Sequence, residues 1–304
     1  YLDNKDKVIR DCVSLLSERG IPVTYHGGEI SYFGSELLSN DQEVLKHKRL
    51  EEFKSACKRQ SLTKENLLES IDAWRKASLI VIGDSILDRY VACEALGMSA
   101  EAPVLVVKEI KNKNFIGGAA IVASHIRNLG AKCKLISVTG NDDNGRFIKE
   151  RLSNEDIKDG IVIDTARPTT YKKRYLVENQ KLFRVSRLEQ SEIDHEIEAK
   201  VIKELEISAK DASGIVISDF VYGVITKKII NKIHELAKKY NLLLLGDLQC
   251  SSQVGSITKF KNFSFLSPNE REARIALHEK ELDLEALSNR IHKKTNSKML
   301  IMKL

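Results

Sequence analysis

Two carboxylates and a pair of glycines are the first residues of this sequence whose types and spacing suggest chemistry. Asp84 and Asp88 follow the short apolar run Leu79–Ile82, and Gly117 and Gly118 open a segment with helical spacing. An ionised carboxylate only accepts hydrogen bonds, which suits the hydroxyl groups of a sugar. A helix that starts with glycine and alanine has a nearly bare first turn, so its N–H groups can approach a polar ligand.

Both features also have structural explanations. The small residues at 117–120 permit close packing of a helix, and Asp84 can cap the turn that follows it. A ligand crevice is favoured because Asp219 and Asp247 follow two further apolar runs. Ligands of parallel sheets bind at the carboxyl ends of the strands, which is where these carboxylates would meet.

The segment 266–272 offers a second kind of site. Asn269 can cap a helix, with Glu272 closing a capping box, and this structural role is physically sufficient. The functional alternative places both side chains near a hydrated Mg²⁺ that bridges phosphates. Both interpretations stay open at this point.

From residue 77 onward, short apolar runs alternate with helical periods. This alternation predicts an α/β fold with a mainly parallel sheet covered by helices. The predicted strands are residues 79–82, 135–138, 160–163, 214–217, 242–245, 263–266 and 299–302, and the predicted helices are residues 119–129, 144–152, 195–210, 226–240, 269–277 and 283–294.

Two segments interrupt this rhythm. Residues 103–110 and 171–186 are β-like with no helix between their halves, and Glu178–Gln180 is a turn candidate. We expect a small second sheet that forms either a lid over the ligand site or a dimer surface.

The first 76 residues differ from the rest. Residues 1–40 have the helix-then-strand pattern of the end of an upstream α/β domain, and they loosely resemble a nucleotidyltransferase domain, with Ser31 and Ser35 in its Ser/Thr-rich motif. A terminal extension that packs on the main domain is the alternative. Residues 41–76 predict two linking helices, and residues 77–304 form the main domain.

Composition excludes several classes of protein. The net charge of +6 is spread along the chain and aromatic residues make up 6%, which argues against nucleic-acid stacking. The five cysteines are scattered without a Cys-x-x-Cys pair, so reduced cytoplasmic thiols fit better than zinc or disulfides. No apolar run is long enough to cross a membrane. We therefore expect a cytoplasmic protein that binds neither nucleic acid nor membrane.

Eight motifs occur in a characteristic order: Ile82–Tyr90, Ser99–Val104, Gly117–Ala120, Thr139–Asp143, Pro168–Arg174, Asn179–Arg184, Ser218–Asp219 and Ser267–Glu272. Together they resemble the ribokinase-like (PfkB) carbohydrate kinases, and among these the heptose-7-phosphate kinase domain of bifunctional ADP-heptose synthesis proteins. The resemblance implies transfer of a phosphoryl group from ATP to a hydroxyl of a sugar or sugar phosphate, with Mg²⁺. The substrate-binding residues that it implies are Asp84, Asp88, Gly117, Gly118, Lys172, Arg174 and Asp219.

The same resemblance assigns the nucleotide side of the site. Asn269, Glu272 and Asp247 would organise the phosphates of ATP, with Glu272 at the Mg²⁺. The small sheet matches the family's lid, which implies a homodimer through the lid.

Three positions depart from the family pattern. Ile121 stands where the family has Asn, and Tyr222 and Gln249 stand where the heptose-phosphate kinases have lysines. We therefore hypothesise that the sugar is not heptose 7-phosphate bound in the usual way.

The sequence contains no Gly-Ala-Gly-Asp motif, which in this family supplies an anion hole and the catalytic base. The base is thus expected beyond Leu304, in a longer kinase of which this chain is a part. Three alternatives stay open: a nucleoside or vitamin kinase of the same fold, a non-catalytic sugar-binding or regulatory module, and an interaction protein. The sequence names neither the sugar, nor the hydroxyl, nor the oligomeric state.

Overall fold

A computed structural model describes residues 42–178, 180–250 and 255–304. The predicted upstream segment 1–40 and Asn179 of the predicted turn lie outside the described residues. The chain divides into two compact units, Tyr1–Ser61 and Leu62–Leu304. Among the described residues, no helix combines the length and apolarity needed to cross a membrane.

The two helices predicted for residues 41–76 are present, one in each unit. Helix α1 spans Gln42–Arg59 in the first unit, and helix α2 spans Lys64–Trp74 in the second. Thr63 caps α2 in a capping box: its hydroxyl accepts from the N–H of Asn66, whose side chain accepts from the N–H of Thr63.

The second unit contains two sheets. The larger has the strand order β11-β10-β9-β8-β1-β4-β5 with every pairing parallel, and the smaller has the order β3-β2-β6-β7. The mainly parallel sheet is therefore confirmed. The strands are β1 Ser78–Gly83, β2 Ser85–Met98, β3 Leu105–Gly118, β4 Lys132–Gly140, β5 Lys158–Asp164, β6 Tyr171–Val177, β7 Gln180–Arg187, β8 Gly214–Asp219, β9 Leu243–Leu248, β10 Phe265–Leu266 and β11 Met299–Leu300.

In the part of the second unit that the structure describes, six helices cover the larger sheet. Strand β1 is buried on both faces, because Ile80 and Ile82 enter one apolar cluster and Val81 enters the other. Five of the six helices start at a side chain that accepts a main-chain N–H, whereas α3 starts at Gly118 with no side-chain cap. The helices are α3 Ala119–Asn128, α4 Asp143–Asn154, α5 His195–Ala209, α6 Lys227–Tyr240, α7 Glu270–Leu277 and α8 Leu284–Thr295.

The smaller sheet is larger than the sequence indicated. Strand β2 was not predicted, and β3 continues from the predicted 103–110 segment to Gly118, directly before α3. The residues of β2 from Asp88 onward mix charged and apolar side chains, and their partners lie on other strands. Asp88, for example, pairs with Arg174 of β6. Such a pattern resembles a polar loop when only local sequence is considered.

The main chain of Asp84 joins three elements where β1 ends. Its N–H donates to the carbonyl of Ser218 at 3.2 Å, and its carbonyl accepts the N–H of Ala119, the first residue of α3, at 2.9 Å. Gly118 adopts φ +60°, and a Cβ there would collide with the carbonyl oxygen of Asp84. The β3–α3 junction can therefore approach β1 only because residue 118 is glycine.

The carboxylate of Asp84 holds the loop after β8. It accepts the N–H groups of Phe220 at 2.8 Å, Tyr222 at 3.2 Å and Val224 at 3.3 Å. Between them, Val221 adopts φ +61°, which is unfavourable for a β-branched residue. Burial, reinforced by the nearby charge of Asp219, raises the pKa of Asp84 to about 7 although these N–H groups lower it.

We expect Gly118→Ala to lower the free energy of unfolding by at least about 3 kcal/mol, because the new methyl group meets main chain that cannot move independently. Gly97→Ala is the matched control. Gly97 also has positive φ, at +112°, but no atom lies within 4 Å of its Cβ position. Urea denaturation measures both, and equal losses would show that backbone conformation alone, and not the close approach, makes glycine necessary.

The stability of the wild type should fall relative to Asp84→Asn as the pH rises from about 4 to about 7. The folded pKa lies above the unfolded one, so the folded state binds the extra proton in this window and loses that advantage as the proton leaves. The slope is at most about 1.4 kcal/mol per pH unit. Urea denaturation at pH 5 and pH 7.5 gives the two differences, and a difference that does not vary with pH would contradict the raised pKa.

Candidate functional site

A cavity of about 890 Å³ lies between the smaller sheet and the start of α3. Its volume is within the range of small-molecule sites. Five of the predicted substrate-binding residues line it, whereas Asp84 and Asp219 are not among its lining residues. The five are Asp88, Gly117, Gly118, Lys172 and Arg174.

Strand register brings the polar side chains of the cavity together. In the parallel pairing of β2 with β6, Asp88 lies beside Lys172 and Tyr90 lies beside Arg174. Alternate residues of a strand share one face, so these four side chains project from the same side of the sheet. All four line the cavity.

Asp88 is held by an ion pair with Arg174, and both side chains are largely buried. The guanidinium of Arg174 also lies 5.2 Å from the centre of the Tyr90 ring. A Cβ at Gly117 would come within 2.5 Å of a carboxylate oxygen of Asp88. Glycine at this position therefore lets the carboxylate lie against the β3 backbone. There the carboxylate can accept a hydrogen bond from a hydroxyl of a ligand in the cavity.

Lys172 is a buried cation, 4% exposed, that reaches the cavity. Its ammonium lies 5.3 Å from the ring centre of Phe220 and 5.2 Å from that of Tyr222. Within the described part of the chain, no carboxylate lies within ion-pair distance of Lys172. Aromatic faces stabilise a desolvated ammonium without neutralising it, so its charge remains available to an anionic ligand.

Three further cations that were not predicted as site residues line the cavity: Lys111, Lys113 and Arg184, the last of which ends the motif Asn179–Arg184. The lining residues that the structure describes include two carboxylates, those of Asp88 and Glu178. The cavity is therefore positively charged. The period of two in Lys111, Lys113 and Phe115 could have indicated one shared face, had residues beyond 110 been recognised as strand.

Asp84 and Asp219 have structural partners instead of positions on the cavity surface. Asp84 binds the N–H groups of the loop after β8, as described above. In Asp219, one carboxylate oxygen accepts the N–H of Val221 at 2.8 Å and the other pairs with Lys259. Carboxylates that follow parallel strands can thus hold the loop after the strand, here the loop that carries Phe220 and Tyr222.

The predicted nucleotide-side residues lie at the carboxyl ends of β9 and β10. The capping box is present: Asn269 accepts from the N–H of Glu272 and Glu272 accepts from that of Asn269, both at 2.8 Å. The other carboxylate oxygen of Glu272 accepts the N–H of Cys250 at 3.3 Å, and Asp247 pairs with Lys303 at 2.6 Å.

The donor chemistry of this edge suits Mg²⁺, which prefers oxygen ligands and keeps several waters. Each carboxylate oxygen of Glu272 has lone pairs beyond the one that accepts an N–H. Across the three described ranges, no cluster of three His, Cys, Asp or Glu side chains could enclose a metal ion. A Mg²⁺ ion at this edge would be held by one or two carboxylates, with water as its other ligands.

The three departures from the family pattern all lie at or beside the cavity. Ile121 and Gln249 line it. Tyr222 is buried, donates its N–H to Asp84 and places its ring beside Lys172. The cations that reach the cavity are therefore on the smaller sheet, not at positions 222 and 249.

Solved structures of known kinases share this fold. Phosphofructokinase-2 from Escherichia coli, in complex with fructose-6-phosphate, superposes with a TM-score of 0.60 at 14% identity, covering 75% of this chain and 74% of that one. Ribokinase from Arabidopsis thaliana, complexed with ribose and ATP, gives a TM-score of 0.55 at 18% identity, covering 75% and 72%. The larger parallel sheet and the small second sheet thus form a ribokinase-like fold.

Among named relatives, the bifunctional protein HldE of Campylobacter jejuni is 33% identical over 219 residues, which cover 72% of this chain and 45% of that protein. HldE of Geobacter sulfurreducens is 33% identical over 198 residues, covering 65% and 40%. The chain thus spans less than half the length of these relatives. The sequence model of the pfkB family carbohydrate kinases matches residues 76–304, which is most of the chain. This protein therefore belongs to the pfkB family of carbohydrate kinases.

Proposed function

We propose that the chain binds the acceptor of an ATP-dependent kinase reaction, in which a phosphoryl group passes to a hydroxyl of a sugar or sugar phosphate. The observation that carries this proposal is the cavity in which Asp88 and the unneutralised Lys172 lie beside the Gly117–Gly118 pair. A carboxylate for hydroxyls and a cation for an anionic group are the two recognition elements that a sugar phosphate requires.

Asp88 and Arg174 have distinct roles in this proposal. Asp88 accepts a hydrogen bond from a sugar hydroxyl and thereby fixes the orientation of that hydroxyl. Arg174 pairs with Asp88, which holds that carboxylate in one orientation. Asp84 and Asp219, which the resemblance assigned to the sugar, instead position the loop that carries Phe220 and Tyr222.

The positive wall supports an anionic acceptor. Lys111, Lys113 and Arg184 border the cavity together with Lys172, so a phosphate on the acceptor can be bound from the smaller sheet. These cations of the smaller sheet would take over the role of the two lysines that the heptose-phosphate kinases have where this chain has Tyr222 and Gln249. This arrangement is consistent with the hypothesis that heptose 7-phosphate is not bound here in the usual way.

On the nucleotide side, Asn269, Glu272 and Asp247 would contact the ATP phosphates, with Glu272 at the Mg²⁺. When bound, Mg²⁺ would neutralise phosphate charge during transfer. Glu272 is 3% exposed and fixed by two main-chain N–H groups, so its carboxylate is held in one orientation. No residue of the chain is assigned as the catalytic base.

The proposal predicts that Lys172→Met weakens binding of fructose 6-phosphate or glucose 6-phosphate by at least about tenfold, because a charge-assisted hydrogen bond to the phosphate is lost. Methionine has a similar length and packs well against aromatic rings, so the fold should persist. Isothermal titration calorimetry with the chain measures the dissociation constants.

Lys173→Met is the matched control. Lys173 is the next residue of β6, faces the opposite side of the sheet and pairs with Glu109 at 2.7 Å. It should change binding by less than about twofold. Equal effects of the two substitutions would contradict the assigned role of Lys172. ADP formation by the product of the whole gene, with sugar phosphates as acceptors, then separates a kinase from a non-catalytic sugar-binding module.

We also propose that two copies associate through the small sheet. Strand β6 pairs with residues 87–93 of β2, and in the described ranges no other strand pairs with the β2–β3 hairpin beyond that point. Four large apolar side chains are exposed at this end of the hairpin, and Ile110 is exposed on β3 opposite Ala92 and Cys93. The four are Leu96, Met98, Val104 and Leu105.

The double substitution Met98→Lys with Ile110→Lys should therefore convert a dimer to a monomer, because two charges per copy would enter an apolar contact. Size-exclusion chromatography with light scattering gives the mass. Ile207→Lys on α5 is the control, since Ile207 is similarly exposed at 55% but lies outside the hairpin. A wild-type chain that is monomeric at all concentrations, or a double variant that stays dimeric, would refute association through this hairpin.

A further inference from the structure

The part of the cavity next to the glycine pair is apolar. Ile86 of β2 and Ile121 of α3 line it together and form an isoleucine wall. Ile86 is almost completely buried, at 1% exposure. A Cβ at Gly118 would lie 3.1 Å from a side-chain carbon of Ile86, so this side chain abuts the glycine pair directly.

The isoleucine wall lies next to the carboxylate that is proposed to bind a sugar hydroxyl. Ile86 and Asp88 are two residues apart on the same face of β2, a separation of about 7 Å. Both also lie beside Gly117, whose Cβ position is 2.5 Å from Asp88 and 3.5 Å from Ile86. A ligand that donates a hydroxyl to Asp88 therefore places neighbouring atoms against the isoleucines.

The side chains of the isoleucine wall offer such a ligand no hydrogen-bond partner. The N–H of Ala119 is already bonded to the carbonyl of Asp84, and Gly118 has no side chain. Amides in the first turn of α3 can donate to an oxygen on the helix axis, but the isoleucine side chains neither donate nor accept. A hydroxyl pressed against them loses its water without compensation. A water molecule retained there would also lack the two to four polar partners that hold buried water.

From this geometry we infer that the acceptor is a sugar phosphate with a hydrogen or an alkyl group, and not a hydroxyl, on the carbon that faces Ile121 and Ile86. The inference rests on the proposed acceptor site and adds its substrate class. Asp88 and Lys172 recognise the polar end of the ligand, and the isoleucines select a deoxy or alkylated face. The asparagine that the family has at position 121 would instead favour a hydroxyl there.

Binding of matched sugar phosphates to the wild-type chain tests the inference without any substitution. Calorimetry compares glucose 6-phosphate and mannose 6-phosphate with the 2-deoxy, 3-deoxy and 4-deoxy derivatives of glucose 6-phosphate. One of the deoxy compounds should bind about tenfold tighter than its parent, equivalent to about 1.4 kcal/mol. If both parents bind at least as tightly as every deoxy compound, the inference is wrong.

Ile121→Asn and Ile121→Val form a matched pair of variants. Asparagine supplies a donor and an acceptor, so it should abolish the preference for the deoxy compound, whereas valine should retain it. A thermal unfolding curve for each variant shows whether the fold is intact. If the folded Ile121→Asn chain still prefers the deoxy compound, the selectivity comes from other residues, and the role assigned to Ile121 is wrong.

The outcomes also separate this inference from the proposed function. If sugar phosphates bind and require Lys172 but show no deoxy preference, the acceptor site stands and the inference fails. If none of the five compounds binds, the proposed acceptor site fails and the inference fails with it.

Discussion

The hydrogen bonds of Asp84 are the interaction on which the candidate site depends. Its carboxylate accepts three N–H groups from the loop after β8, and its main chain bonds to β8 and to the first residue of α3. The loop needs this support, because Val221 has an unfavourable positive φ. Phe220 and Tyr222 flank that residue and form the aromatic wall beside Lys172. One buried residue therefore fixes the start of α3 through its main-chain carbonyl and the environment of the main cation of the cavity through its carboxylate.

The two sheets contribute different chemistry to the site. The parallel sheet ends in acidic residues that mostly serve its own loops, as Asp84 and Asp219 do. The smaller sheet carries the side chains that face the cavity, among them Asp88 and Lys172. This division follows from strand geometry: a parallel sheet presents only its carboxyl edge to a ligand, whereas an open antiparallel ribbon presents a whole face.

The sequence predicted most of the larger sheet and its helices, because buried strands and amphipathic helices have periodic apolar patterns. It did not predict β2, since the charges on that strand are satisfied only across strands. The same limit affected the site. Asp88 and Lys172 were identified through motifs. The three main-chain N–H groups that the carboxylate of Asp84 accepts could not be predicted, because no local pattern encodes their direction. Lys111 and Lys113 were missed because their strand was taken to end at residue 110.

The electrostatics of the cavity explain why two cations of one strand need different partners. Arg174 is paired with Asp88, so its charge is compensated by the carboxylate that it orients. Lys172, two residues earlier on the same face, is surrounded by aromatic rings that stabilise its charge without cancelling it. If Lys172 also had a carboxylate partner, a phosphate would have to displace that partner before binding. The loop that Asp84 holds thus surrounds one cation with aromatic rings. In the proposed function, the contacts that support the fold also keep this cation available to an anionic acceptor.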